Sequence, residues 1–454
     1  MRRTMKHNAT RVVYNDLSGG INVMSEGDLI ASNEMQFCQN FWFLGYQRSL
    51  TPRGGLSEPI AALPKKIRGT FYDIDSNTLL IFLEDGDIYR FAGGGGMTDP
   101  ERIGALTGES RPVCAKFQDR IWIASGGKLQ AYDFAEKDSL KTVEDGPVCD
   151  MVFQRYARLC VSLAGQDRIT LSGVGDGFMW AQDDDDKSKA AWIDVGYGDS
   201  GDIIAVVPLA TDLLIFKNNG MVYQLAGDAA IDTWAVYRLA TETDAIGRGC
   251  AASVGNDAVF VSRQGMKTMM TTMDYGNIAQ GDIGEKWNLL VTSGLYDPEM
   301  FNLRRRKNLL IRPTADKEYL IAYNYAIGAA TTLRFSVPVV AVAERPDGVL
   351  IAADNKLYRL DEANLKDDGT PIEYKLRTKD IVSSDEIIVR SVDSSMAAAQ
   401  AGDVLVEVDN MRITMPANAR RKVRCNHTSP RIVTTISSSV PFQIKHLALE
   451  VADL

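Results

Sequence analysis

The chain has 454 residues, of which 45% are hydrophobic and 24% charged, with a formal net charge of -9. This apolar content can bury a large core, and the acidic balance excludes a protein that grips nucleic-acid phosphates over a broad basic face. Six scattered cysteines without close pairs exclude a disulfide scaffold and the common zinc motifs, and no uninterrupted apolar run reaches the ~18 residues of a membrane span.

Residues 1–60 form an N-terminal segment. It has no apolar run of signal-peptide length, so folding in a cytoplasm is expected. Its best helical stretch is "ASNEMQFCQNF", Ala31 to Phe41, where Ser32 or Asn33 would cap and Glu34 falls in the first turn. From residue 61 to 365 one pattern returns: an apolar strand, a polar break, then a tight hairpin. Clear copies cover residues 66–91, 112–132, 147–171, 202–225, 249–269 and 337–360, and a weaker one covers 308–324. The hairpin turns carry Gly86, Gly127, Gly165, Gly220, Gly265, Asp316 and Asn355. Their spacing of about 45 residues suits four-stranded propeller blades, and seven copies predict seven blades. A solenoid would leave large open edges that a closed ring removes. Cys114, Cys149 and Cys250 stand at equivalent places, as small buried residues on strands entering a blade. Beyond residue 365 the repeat ends, and 366–454 reads as strands with period-two alternation, a small β-sandwich. The predicted class is all-β: a seven-bladed propeller between an N-terminal segment and a small C-terminal β domain.

Few stretches suggest chemistry. Gly198-Asp199-Ser200-Gly201 resembles a serine-nucleophile motif, but that chemistry needs a histidine base, and His7, His427 and His446 lie in no such setting. A turn into the next blade explains it better. Asp183, Asp184, Asp185 and Asp186, followed by Lys187, lack the alternate spacing and glycine of a calcium loop. They fall in the longest interval of the repeat, Gly165 to Gly220, and are expected on an inserted, solvated loop that faces a channel or a neighbouring protein. Gly93 to Gly96 have no strand–loop–helix context for phosphate and read as a link between blades. Two basic clusters, Arg304-Arg305-Arg306-Lys307 and Arg420-Arg421-Lys422, with Arg424 beside the second, are short and set in strand-like sequence, where they suit a solvated face or an interface with an acidic neighbour. Cys425 and His427 form a Cys/His pair with no second pair to complete a metal site. No catalytic residue, cofactor or metal ligand is assigned. Glycosidase carboxylates cannot be placed around a channel from sequence, and the signatures of WD repeats are missing.

The segment "NDLSGGINVMSEGDLIASNEMQFCQNFWFLGYQRSLTPRGG", with Gly19-Gly20-Ile21-Asn22, Asn40, Gly45 and Arg53-Gly54, resembles the start of the tail nozzle proteins of short-tailed bacteriophages, also called tail tubular or head-to-tail stabilisation proteins. "WIDVGYGDSGDIIAVVPLATDLLIFKNNGMVYQLAGD" and "GRGCAASVGNDAVFVSRQGM" are similar to blades of that family. The resemblance implies a virion structural protein without enzymatic activity. It implies a ring, usually a hexamer, below the portal and adaptor, enclosing the channel through which duplex DNA leaves without specific binding. The adaptor, and tail fibre, tailspike or tail needle proteins, would be its partners. An acidic lumen would let DNA slide, and the lumen-facing blades are expected to be acidic. The alternative reading is a propeller-fold carbohydrate-binding protein or glycosidase.

Overall fold

The computed structural model describes residues 9–92, 99–133, 139–163, 165–209, 212–240, 242–255, 257–271 and 278–453. Among them the fold is all-β, with one five-residue α-helix, Asn288–Thr292, and one turn of 3-10 helix, Ile231–Thr233. No helix among them is long and apolar enough to cross a membrane.

Six consecutive antiparallel meanders of four strands follow one another. Unit 1 begins with Ile67–Asp73, unit 2 with Val113–Phe117, unit 3 with Met151–Arg155, unit 4 with Ile203–Pro208, unit 5 with Ala251–Val254 and unit 6 with Leu295–Leu303. Unit 7 has three strands of its own, Val339–Arg345, Gly348–Ala353 and Lys356–Asp361, and on its outer edge Lys356–Asp361 pairs with Gly55–Leu56 and Ala61–Ala62 from the start of the chain.

The second strand of each unit explains why the sequence reads as apolar runs. Thr78–Leu83, Arg158–Ser162 and Leu213–Lys217 are buried at every residue, and the equivalents in the other units at all but one. Both faces of these strands are covered, so alternation disappears, as in any sheet packed on two sides. The turn after each second strand carries the sequence markers, and Gly86, Gly165, Gly220 and Gly265 adopt positive φ there. Apolar clusters join unit 1 to 2, 2 to 3, 3 to 4, 4 through 5 to 6, and 6 through 7 back to unit 1.

The C-terminal region has two sheets. Tyr374–Thr378, Thr434–Ser438, Asp403–Val408 and Met411–Pro416 form one, and Thr10–Val13, Gln443–Asp453, Ile381–Ala397 and Arg420–Ile432 the other. Val392 and Leu449 from the second sheet and Val406 and Ile436 from the first share one apolar cluster.

The N-terminal segment does not stand apart. Its residues are divided among the C-terminal sheets, unit 6 and unit 7, and the helix expected between Ala31 and Phe41 is instead a strand, Glu34–Gln39. This strand lies between Ala329–Arg334 of unit 6 and Tyr374–Thr378 of the first C-terminal sheet, joining them into one continuous sheet. A register shift between Met35 and Phe37 lets Met35 and Cys38, three apart, both face the core. A bulge thus imitates helical spacing.

Candidate interaction surfaces and the polar junction

The residues singled out from the sequence occupy three separate places. Asp183 to Asp186 lie between the third and fourth strands of unit 3, in a loop running from residue 172 to 190. Asp183, Asp184 and Asp185 are exposed. The loop is tied down at both flanks. Buried Arg158 donates to the carbonyls of Ser172, Lys187 and Lys189, and Phe178 packs on Trp122 of unit 2 with ring centroids 4.9 Å apart. Within the turn, Asp186 accepts from the backbone and hydroxyl of Ser188, which holds its pKa below the usual carboxylate range. Lys187 pairs with Asp232 at 2.5 Å, so it is drawn away from the aspartates.

Gly198 to Gly201 form the connection from unit 3 to unit 4, and Asp199 has a structural task there. Its carboxylate accepts from Lys217 Nζ at 2.5 Å, Tyr223 OH at 2.7 Å and the Gly201 amide at 3.0 Å. Lys217 is wholly buried and also donates to the Val195 carbonyl. Burial pushes the Asp199 carboxyl up, but the bonds from Lys217, Tyr223 and Gly201 outweigh it and hold the pKa low. Burial and the Asp199 bond push the Tyr223 phenol up to about 12.

Arg304 to Lys307 form the turn between the first two strands of unit 6. Glu344 of unit 7 accepts the backbone amides of Arg305 and Arg306. Arg306 also pairs with Glu362 and stacks 4.9 Å over Trp42. Arg305, Arg306, Glu344 and Glu362, with Leu44 and Asp347, line a surface depression of about 490 Å³ in which cations and carboxylates are mixed.

Arg420, Arg421 and Lys422 begin the edge strand of the second C-terminal sheet. Arg420 makes a bidentate contact with Asp393 at 3.1 and 2.8 Å, Lys422 pairs with Glu450 at 3.1 Å, and Arg421 donates to the Thr414 carbonyl. Asp393 also receives Arg11 at 2.8 Å, with His446 3.8 Å away. The Arg420 contact holds the Asp393 carboxyl below its ordinary range, and Ser391 and Lys422 do the same for Glu450.

Cys425 and His427 point to different partners, the Val389 carbonyl and Asp409, and no group of three potential metal ligands occurs among the described residues. All six cysteines are free thiols, and burial pushes Cys149, Cys160 and Cys250 up to about 12, out of nucleophilic range at neutral pH. Gly93 to Gly96 and His7 lie outside the described residues.

Two charged groups have no local sequence signal. Arg111, between units 1 and 2, and Arg312 of unit 6 both pair with Glu299 of unit 6, and Arg248, between units 4 and 5, pairs with Asp150 before unit 3. The Arg111 pair ties the connection between units 1 and 2 to unit 6, and the Arg248 pair ties the connection between units 4 and 5 to the one before unit 3, while the Arg312 pair stays within unit 6. The second group is a buried junction. Arg53 is 1% exposed, and all five of its N–H donors are used: Nε to Asn40 Oδ1, Nη1 to Asp367 Oδ1 and the Gly54 carbonyl, Nη2 to Asp367 Oδ2 and the Arg334 carbonyl. Its plane lies 4.2 Å over Phe335. Asn40, held at φ 65°, also donates to the Glu373 carbonyl and accepts the Arg334 amide. Gly20, at φ 72°, approaches unit 6 so closely that a Cβ would sit 2.8 Å from the Ala330 carbonyl oxygen. One guanidinium therefore connects the N-terminal segment, unit 6 and the strand pair after unit 7.

No protein-family model matches the sequence, and no curated protein matches it. Similar solved structures include the WD40 β-propeller domain of Doa1, at 8% identity and a TM-score of 0.43 over 68% of this chain and 96% of that one. BamB from Moraxella catarrhalis is 11% identical with a TM-score of 0.38, over 66% of this chain and 84% of that one. The extracellular domain of a putative one component system, BT4673 from B. thetaiotaomicron, is 11% identical with a TM-score of 0.49, over 92% of this chain and 63% of that one.

Proposed function

We propose that this chain is a structural protein that works by assembling copies of itself, and that it serves as a tail nozzle of a short-tailed bacteriophage. In this reading its seven units are the blades of one closed propeller. Closure is supported by the apolar clusters, which return from unit 7 to unit 1, where Val339–Arg345 packs against Ile67–Asp73. It is also supported by the early strands Gly55–Leu56 and Ala61–Ala62, which complete the last unit and so clasp the two ends of the array.

The observation that carries the reading is the junction. Residues on which the family resemblance rests lie at or beside it: Asn40 and Arg53 reach Glu373 and Tyr374 at the first C-terminal sheet, and Gly20, Gly45 and Gly54 pack on units 6 and 7. Asn22 donates to buried Glu34, which Lys286 also contacts. Gly45 donates its amide to the Arg306 carbonyl, and a Cβ on Gly54 would sit 2.2 Å from the Asp361 carbonyl oxygen. Such buried, close-packed contacts between the array and its flanking segments suit a wall element that must hold position in a ring. In this reading DNA passes through the ring of copies and not through a single propeller. Negative-stain electron microscopy of the purified chain, alone and with an adaptor ring, tests it. Annular assembly on the adaptor is the expected outcome; monomers that ignore the adaptor and bind or cleave glycans would overturn it.

A further inference from the structure

The outer face of the second C-terminal sheet is built in rows. Arg420, Ser395 and His446 stand side by side in one; Lys422, Asp393, Ala448 and Val13 in the next; Arg424, Ser391, Glu450 and Arg11 in the third. The two carboxylates occupy the middle strands and the cations the two edge strands. The side chains of Arg11, Arg420 and Lys422 are 51%, 66% and 56% exposed while that of Asp393 is only 7% exposed, so the long cations lie over the acid. The exposed layer of this face is therefore mainly cationic, with Glu450 partly exposed among the cations, on a chain whose net charge is -9. These rows set four cations, Arg11, Arg420, Lys422 and Arg424, against two carboxylates, Asp393 and Glu450.

The complementary feature lies elsewhere on the same chain. The Asp183–Asp186 turn carries four carboxylates, its neighbour Lys187 is engaged by Asp232, and Arg158 ties down its flanks. No bond joins the cationic face to this turn within one molecule among the described residues. The C-terminal sheets are attached to units 6 and 7, whereas unit 3 shares apolar clusters only with units 2 and 4. We propose that the cationic sheet face docks on the Asp183–Asp186 turn of a second copy of this chain. Two different patches of identical molecules then meet head to tail, the kind of contact that closes into rings. The inference rests on the self-assembly reading above and names the contact it would use. Contacts of this kind weaken as salt screens them.

The experiment is sedimentation velocity on the full chain. The unmodified protein should self-associate at low ionic strength, with affinity falling at least about tenfold when salt is raised beyond the screening range of exposed pairs. A variant carrying Lys422→Glu and Arg424→Glu, and a second carrying Asp184→Lys and Asp185→Lys, should each sediment as monomers, while an equal mixture of the two should associate again because each now offers the patch the other lacks. The salt series on unmodified protein stands even if a variant folds poorly. Association of either variant alone at unmodified strength, or failure of two folded variants to recover on mixing, overturns the proposal. So does a face that instead binds duplex DNA or anionic phosphatidylserine vesicles and loses that binding with Lys422→Glu and Arg424→Glu. If both variants still build annuli on the adaptor ring, the nozzle reading stands and this contact is wrong; an unmodified chain that assembles neither alone nor on the adaptor overturns both.

Discussion

Two arginine–aspartate pairs in this protein tie the N-terminal segment to distant parts of the chain, and they work in opposite ways. Arg53 and Asp367 are 1% and 3% exposed and form a closed set in which every guanidinium donor has an acceptor. Asp393 receives Arg11 and Arg420, whose side chains are half or more in water. Removing a partner from the first leaves a charge buried without compensation. Removing one from the second returns a cation to solvent, which changes surface charge more than stability. The buried pair is thus a device for holding one arrangement, and the exposed pair a device for presenting charge.

The strongest way to break this contrast is Arg53→Met. It should cost about 3–5 kcal/mol in urea denaturation, because Asp367 stays behind, and a loss below about 1 kcal/mol would place the pair with surface ion pairs. Adding Asp367→Leu should recover only part of the loss, since it removes the stranded charge but leaves the Leu56 amide without Asp367 and the Gly54 and Arg334 carbonyls without Arg53.

Lys217→Met applies the same test inside the array. Asp199 would retain Tyr223 and the Gly201 amide but lose its cation, at a cost of about 3 kcal/mol. The pH dependence has a definite sign. Because the folded-state pKa of Asp199 is depressed, its contribution is present above the ordinary aspartate range and is lost as pH falls through the folded value. Unmodified protein should therefore lose stability in acid more steeply than Lys217→Met does, which acid titration followed by circular dichroism can measure.

The sequence showed the three inner strands of every unit but unit 6, where Leu295–Leu303 was missed, because the second strand is covered on both faces and keeps a dense apolar run. The fourth strands were hidden. Glu101–Ala105, Leu140–Thr142 and Ala191–Asp194 are mostly half-exposed and carry no pattern that separates them from loops. The aspartate turn was legible as an insertion from the interval between markers. Its anchoring was not, because Arg158 lies in an earlier strand and acts through backbone carbonyls. Arg53 and Asp367 are 314 residues apart, and neither has a local signal of pairing. The misread helix at Glu34–Gln39 has the same origin, since partners on both sides from units far along the chain decide its conformation.

Arg158→Ala tests an intermediate case, a buried cation whose partners are backbone dipoles. Losing the bonds to Ser172, Lys187 and Lys189 should cost about 1–3 kcal/mol and speed proteolysis within residues 173–190, while cleavage elsewhere stays unchanged. Uniformly faster cleavage would mean that Arg158 supports unit 3 as a whole.

The smallest effect is expected at Asp393. Asp393→Asn keeps the shape and removes the charge, and the displaced cations Arg11 and Arg420 are already near water, so stability should change by less than about 1 kcal/mol. The Asp393 pKa is depressed mainly by Arg420, so whatever it contributes is present above the ordinary aspartate range and fades only in acid. Thermal melts at neutral pH should thus barely separate Asp393→Asn from the unmodified protein, while the exposed layer becomes more cationic by one charge. A loss comparable to Arg53→Met would show that the two pairs do the same work, and that the sheet face is held together by the charges it displays.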